Sequence, residues 1–294
     1  MTLLDQLYLT FLVLTRTHSY TKTAEKLYIS QPAVTQQIQR LEEKLGLKLV
    51  HYHRPNLKIT PAGEELADFL QRTSVQSQQL LERIQTPNKF QEVNFSTTRS
   101  LSEFLAPQLI EEIAARGEFR KISCHVGNTE QALTAVRTGK SQFALVEGNF
   151  DKKKFGYKII RSEPFIAVVS KKHPLTRYKS LTWSDLVKTP LLVREEGSGS
   201  REILASLARA ENVSLSDFEH LIVISEPLLI KRLLLDGIGI SFLYRSLVAD
   251  QLKNSQLVEL PMLDNGQTAH DLYLIYARDS YFKKDYEEWI SVLK

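Results

Sequence analysis

Val34, Ile38, Leu41 and Leu45 recur at helical spacing, which predicts a helix with one buried stripe. Pro32, Thr35, Gln36 and Gln39 project away from that stripe. Ser30 stands where an N-cap belongs, and Pro32 falls in the first turn, where a missing N–H matters little. Upstream, Leu4, Leu7, Tyr8, Phe11 and Leu14 form another helical stripe. Between the two, Ala24 and Leu27 face inward on a short helix that Thr21 is placed to cap. Downstream, LVHYHRPNLKIT has extended character on both sides of a Pro55-Asn56 turn, which predicts a small hairpin. Thr60 and Pro61 then open a long helix reaching about Thr86, with Pro87 ending it. Ala62, Leu66, Phe69, Thr73, Gln76 and Leu80 keep a heptad-like spacing along it, although its middle is polar. Such a helix spans roughly 38 Å at about 1.5 Å per residue. From Phe90 onward, short apolar runs (VNFST, FALVEG, FIAVVS, LLV, LIVIS) alternate with helical stretches, the pattern of an α/β sheet.

The polar face of the third helix carries the chemistry. Glutamine can pair bidentately with adenine in a major groove, so Thr35, Gln36 and Gln39 form a candidate base-reading surface. Three short helices with one such face and a following hairpin predict a winged helix-turn-helix. His51, His53, Arg54 and Lys58 on the hairpin suit phosphate contacts or entry into a minor groove. No carboxylate or cysteine stands at ligand spacing from His51 and His53, so no metal is expected there. Residues 1–60 hold eight basic and four acidic side chains, a surplus of +4 that equals the charge of the whole chain. The excess therefore belongs to the segment proposed to meet phosphates. Pairing of the long helix with a twin would double it.

In the α/β part, several strand-to-helix junctions are rich in hydroxyls and glycine: Thr98-Arg99-Ser100, Gly127-Asn128-Thr129, and Gly197-Ser198-Gly199-Ser200. Helix starts with exposed N–H groups and hydroxyls can hold a small anion. Each junction alone also looks like ordinary capping. At 294 residues and 43% hydrophobic content the chain is long enough for two domains. The apolar patch from Leu7 to Leu14 lacks a basic n-region and a cleavage site, so neither a signal peptide nor a membrane span is expected. The single cysteine, Cys124, sits in a strand-like KISCHV and reads as a buried, inert thiol in a reducing compartment. A transport-type solute-binding protein would explain only the second half. Nucleophile-elbow, zinc-protease and dinucleotide fingerprints are all missing, which argues against an enzyme.

The segment SYTKTAEKLYISQPAVTQQIQRLEEKLGLKLV, followed by ITPAGEELADFL, closely resembles the DNA-binding and linker region of LysR-type transcriptional regulators. STTRSLSEFLAP, GNTEQALTAVRTGKSQFALVEG, VSKKHPL and LLVREEGSGSREIL resemble that family's sensor, more loosely but in the right order. The resemblance covers the chain from end to end. It implies an α + α/β fold: a winged helix-turn-helix at residues 1–60, a linker and dimerisation helix at 61–88, and an effector-binding domain at 89–294. The last would be periplasmic-binding-protein-like, with subdomain I at 89–165 and 268–294 and subdomain II at 166–267. The crossings would lie near Phe165–Ser170 and Gln267–Ala277 and supply a hinge.

The same resemblance implies DNA contacts from Ser30, Gln31, Pro32, Thr35, Gln36 and Gln39 and from His53 and Arg54 of the wing. Gln36 stands where the family most often has Arg, and Tyr52 where a wing Arg is frequent. It further implies that Thr98, Arg99, Ser100, Thr129, Ser198 and Ser200 line the effector cleft, with Arg99 clasping an anion. Glu147, at the end of FALVE, would meet a cationic group or serve packing. The expected partners are double-stranded promoter DNA, a small anionic metabolite, a second copy in a homodimer or homotetramer, and RNA polymerase if the protein activates. A cytoplasmic, non-enzymatic protein without cofactor or metal follows.

Overall fold

The computed structural model describes residues 3–53, 56–85, 91–117, 119–263 and 268–293. The chain forms two compact units: Met1–Lys89 with Arg137–Lys140, and Phe90–Val136 with Ser141–Lys294.

In the first unit, α1 (Gln6–Thr17), α2 (Tyr20–Leu27) and α3 (Gln31–Leu45) pack around Phe11, Leu14, Ala24, Val34, Ile38 and Leu41. The stripe expected on α3 is the inward one, with Leu45 half-buried at its end. Ser30 caps α3 by accepting from Ala33 N at 3.3 Å, and Gly46 closes it in the left-handed region at φ 65°. The cap of α2 differs from expectation. Ser19, not Thr21, accepts from Lys22 N at 3.3 Å, and Thr21 sits exposed within the helix. A hydroxyl cluster fixes this start. Buried Thr23 shares a 2.6 Å hydrogen bond with the Thr17 hydroxyl and donates to Ser19 O at 2.8 Å.

The hairpin β1 (Val50–His53) and β2 (Asn56–Ile59) is antiparallel, with Val50 opposite Ile59 and His51 opposite Lys58. α4 (Pro61–Gln85) follows directly. Thr60 is its cap: the hydroxyl accepts from Gly63 N at 3.0 Å and donates to Lys48 O at 2.8 Å. A Cβ at Gly63 would lie 2.4 Å from Leu49 O and 2.7 Å from Ile59 Cγ2, so this helix start rests on the hairpin with no room for a side chain. Farther along, Leu70 is buried whereas Phe69 and Ile84 stay exposed.

A second device holds the hairpin. Glu42, buried at the end of α3, accepts from Leu49 N at 2.8 Å, Val50 N at 3.2 Å and Lys48 Nζ at 2.6 Å. Burial alone would raise this carboxyl, but the hydrogen bonds from Lys48, Leu49 and Val50 outweigh it and hold the group below its ordinary value. Glu42→Gln should therefore destabilise the hairpin by about 2 kcal/mol near neutrality. Because the folded-state pKa is depressed, the stabilisation is complete above the unfolded value and is lost as pH falls through the folded one. Amide exchange at Leu49 and Val50 checks this: the gap between wild type and variant should close on acidification below about pH 4.

The second unit runs β3 (Gln91–Thr98), α5 (Ala106–Arg116), β4 (Phe119–Gly127), α6 (Thr129–Arg137), β5 (Phe143–Val146), β6 (Phe155–Ser170), α7 (Trp183–Leu186) and β7 (Leu191–Val193). It continues with α8 (Gly199–Ala210), β8 (Leu221–Val223), α9 (Pro227–Leu235), β9 (Ser241–Tyr244), α10 (Ala249–Lys253), β10 (Leu257–Glu259), β11 (Thr268–Ala277) and α11 (Lys283–Trp289). The main sheet is ordered β10-β6-β11-β5-β3-β4, with β9 also paired to β6. β3 is parallel to β4 and β5, whereas β11 is antiparallel to both β5 and β6. β7 and β8 form a separate parallel pair, tied to the residue before β9 by a Leu191–Ile240 bridge.

β6 and β11 thus run between the part of the sheet built from β3, β4 and β5 and the part built from β9 and β10. The run FIAVVS is only the last part of a 16-residue strand. Its first part is only partly buried, while its last residues, flanked by β9 and β10, are buried on both faces. Cys124 on β4 is half-buried, and burial pushes its thiol up to about 11, which keeps it protonated and unreactive near neutrality.

Candidate functional site

Two groups of residues stand out, one in each unit. On α3, Ser30, Gln31, Pro32, Gln36 and Gln39 are exposed and Thr35 is half-buried. Gln31 and Thr35 brace one another: Gln31 Nε2 donates to the Thr35 hydroxyl, which donates to Gln31 O, each at 3.2 Å. Gln36 and Gln39 therefore head the outward face of a helix whose other side is locked in the core. Gln37, which the sequence reading passed over, supplies part of that lock. Its side-chain oxygen accepts from the buried Thr10 hydroxyl of α1 at 2.5 Å, setting the rotation of α3. On the hairpin, His51 and Lys58 are exposed as a cross-strand pair. His53 lies in β1 opposite Asn56, and Arg54 lies outside the described residues.

In the second unit, the ends of β3, β5 and β7 and the starts of α6 and α8 converge on one buried polar cluster. Thr98, Ser100, Thr129, Glu147, Ser198 and Ser200 are all buried, and Arg99 is half-buried beside them. The Thr98 hydroxyl donates to Glu147 Oε2. Thr129 donates to Glu147 O at 3.2 Å and accepts from Gly199 N at 3.0 Å. The Ser198 and Ser200 hydroxyls lie 3.0 Å apart. Two glycines permit this closeness: a Cβ at Gly199 would lie 2.2 Å from Glu147 O, and one at Gly148 would lie 2.6 Å from Gly199 Cα. All seven residues proposed from the sequence thus gather in one region.

The charges are arranged differently from expectation. Arg99 Nη1 donates to Glu195 Oε1 at 3.0 Å, so that guanidinium already has a carboxylate. The buried cation is Arg194, 4% exposed, which the sequence reading did not single out. It donates to Glu195 Oε2 at 2.9 Å, to Glu195 Oε1 at 3.2 Å and to the Ser100 hydroxyl at 3.2 Å. Its only local signal was its place at the end of the apolar LLV run, where strand ends carry ligand groups in α/β sheets.

Glu147 is 1% exposed, and burial pushes its carboxyl up to about 7 despite Thr98 and Arg194. Its Oε1 has no hydrogen-bond partner among the described residues. Neither has the hydroxyl of Tyr244, at the end of β9, also 1% exposed. Burial, reinforced by Glu147, Glu163 and Tyr273, holds that phenol well above its ordinary value.

Comparison with known proteins agrees with this two-unit layout. A family model described as "LysR substrate binding domain" matches residues 89–294, and one described as "Bacterial regulatory helix-turn-helix protein, lysR family" matches residues 5–64. The chain is 24% identical over 287 residues to the HTH-type transcriptional regulator CysL of Bacillus subtilis, covering 97% of this chain and 95% of that protein. It is 27% identical over 269 residues to the HTH-type transcriptional activator CmpR of Synechocystis, covering 91% and 87% respectively. Among solved structures, ArgP from Mycobacterium tuberculosis shares the fold with a TM-score of 0.77 at 15% identity, over 98% of this chain and 96% of that one. Full-length LysG from Corynebacterium glutamicum with bound effector Arg gives 0.73 at 17% identity, with the same coverage.

Proposed function

Because the chain belongs to the LysR family of transcriptional regulators, we propose that it reads promoter DNA with α3 and senses a small, anionic-group-bearing metabolite in the C-terminal unit. The observation that carries the first half is the outward face of α3, where exposed Gln36 and Gln39 ride on a helix fixed from behind by Val34, Ile38, Leu41 and Gln37. Rigid backing matters, because a bidentate base contact requires a side chain held in register with the groove. Ser30, Gln31, Pro32 and Thr35 extend the surface, and His53 and Arg54, the latter outside the described residues, add contacts to the DNA backbone. Gln36 favours adenine at the position it meets, so Gln36→Arg should move the preference there toward guanine, by roughly 10- to 100-fold. Selection from a duplex library randomised across the half-site measures this; an unchanged preference would remove Gln36 from the reading surface.

For sensing, residues 61–88 act as linker and dimerisation helix and residues 89–294 as the effector domain, with subdomain II spanning 166–267. The exposed Phe69 on α4 supports pairing with a second copy, giving a dimer or tetramer. The ligand lies among Thr98, Arg99, Ser100, Thr129, Glu147, Ser198 and Ser200, where hydroxyls, two helix N-termini and the buried Arg194 favour an oxoanion such as a carboxylate. Closure of the lobes about β6 and β11 would favour one arrangement of the reading heads, which requires the ligand to bind that state better.

The protein acts by binding and leaves its ligand chemically intact, in the cytoplasm. No described helix is long and apolar enough to cross a membrane. RNA polymerase is a partner if the protein activates. A DNase I footprint with and without saturating ligand tests the coupling. An extended or shortened footprint is expected; an identical footprint and bend would contradict it.

A further inference from the structure

We propose that Glu147 and Tyr244 form the end of the sensor site that takes a protonated amine, so that the ligand is a small zwitterion of the α-amino-acid class. This rests on the reading of the C-terminal unit as a sensor. Thr98 occupies one oxygen of the Glu147 carboxyl; the other oxygen and the Tyr244 hydroxyl are both buried without a partner among the described residues. Buried polar groups in native proteins are almost always paired, so two orphans in one buried region, with Glu147 close enough to act electrostatically on Tyr244, point to a group from outside the chain.

The surrounding charges indicate which group. Glu147 is faced by Thr98 from β3, by Arg194 and Glu195 from the segment after β7, and by Tyr244 from β9. Tyr244 is faced in addition by Glu163 of β6 and Tyr273 of β11, and its ring packs on Phe104 and Phe165. The cations nearby already have carboxylates: Arg194 and Arg99 donate to Glu195, and Arg161 lies 3.2 Å from Glu163 as an ion pair, although its buried Nε makes no hydrogen bond among the described residues. The Glu147–Tyr244 end is therefore acidic, whereas the Ser100–Arg194 end and the starts of α6 and α8 suit a carboxylate. An ammonium has three donors and can serve Glu147 Oε1 and the Tyr244 oxygen together. A simple anion would reach Tyr244 but would meet the Glu147 oxygen only if that carboxyl kept its proton.

The two cases differ in the sign of their pH dependence. Burial pushes the Glu147 carboxyl up to about 7. An amine-bearing ligand selects the ionised carboxylate, so its affinity should rise about tenfold from pH 6 to pH 8. An anion that needs the protonated form should weaken over the same range.

The full-length protein would be titrated calorimetrically with alanine, serine, aspartate, lysine and phenylalanine, and with the α-hydroxy acids matched to each. Binding of at least one amino acid about tenfold or more tighter than its hydroxy partner is expected. That preference should rise with pH and be lost in Glu147→Gln. Tyr244→Phe, a smaller change that keeps the ring, should weaken the amino acid more than the hydroxy acid. Equal binding of the matched pairs, affinity falling with pH, or no amino acid of the panel binding would each overturn the proposal. Retained promoter binding in that event would leave the regulator reading standing, whereas its loss would show that the broader reading had failed.

Discussion

Gly63→Ala is expected to destabilise the N-terminal unit by about 3 kcal/mol and to remove DNA binding at physiological temperature. The first turn of α4 sits on the carbonyl of fully buried Leu49, and a methyl at residue 63 would penetrate that carbonyl and the Ile59 side chain. Neither neighbour can yield easily. Leu49 N is held by Glu42, Leu49 O accepts from Thr60 N at 2.9 Å, and Ile59 is paired with Val50 in the hairpin. The helix would have to lift, breaking the Thr60 cap. Ala62→Ser, one residue away on the exposed side, should change stability by less than about 0.5 kcal/mol. Amide exchange of residues 49–59, followed by mass spectrometry, separates the two variants. Wild-type protection in Gly63→Ala would mean that this helix start is not tightly seated.

Arg194→Met should destabilise the C-terminal unit by about 2 kcal/mol, because it leaves the Ser100 hydroxyl without this donor and Glu195 with Arg99 alone. Arg99→Met removes a partly exposed contact to the same carboxylate and should have an effect of about 1 kcal/mol. Trp183, buried and stacked on Phe242 at 4.8 Å, reports unfolding of that lobe by fluorescence. The ranking separates two views of the site. If Arg99 were the anchoring cation, as its place in the sequence suggested, its replacement would be the more damaging. If Arg194 is, the order reverses, and response to the effector should fail in Arg194→Met first.

These contrasts show how far the sequence reached. Elements defined by local periodicity were legible: the α3 stripe, the Ser30 cap and the start of α4 at Thr60-Pro61 all rest on residues within a few positions of one another. The cap of α2 was misplaced by two residues because Ser19 and Thr21 are both good caps. A contact from Thr17 to Thr23 decides between them. In the C-terminal unit, hydroxyl-rich junctions after strands drew attention to Thr98, Ser100, Thr129, Ser198 and Ser200, which the fold buries in one polar cluster. What remained hidden depends on distant pairings. Arg194 finds Ser100 across 94 positions, and Tyr244 reaches the region of Glu147 only because β9 pairs with β6. Gly63 and Gly199 stand at helix starts; that a side chain there would meet backbone from other elements is visible only once those elements are packed.

The central claim is sequence-selective recognition of promoter DNA through α3. It is tested most directly by a gel shift of the purified protein on the DNA upstream of its own gene, against an unrelated duplex and across a salt titration. Retention on the upstream DNA that resists the competitor, and that is lost in Gln36→Ala while the fold is kept, is the predicted result. Retention that the unrelated duplex removes equally well, or that Gln36→Ala leaves untouched, would contradict it.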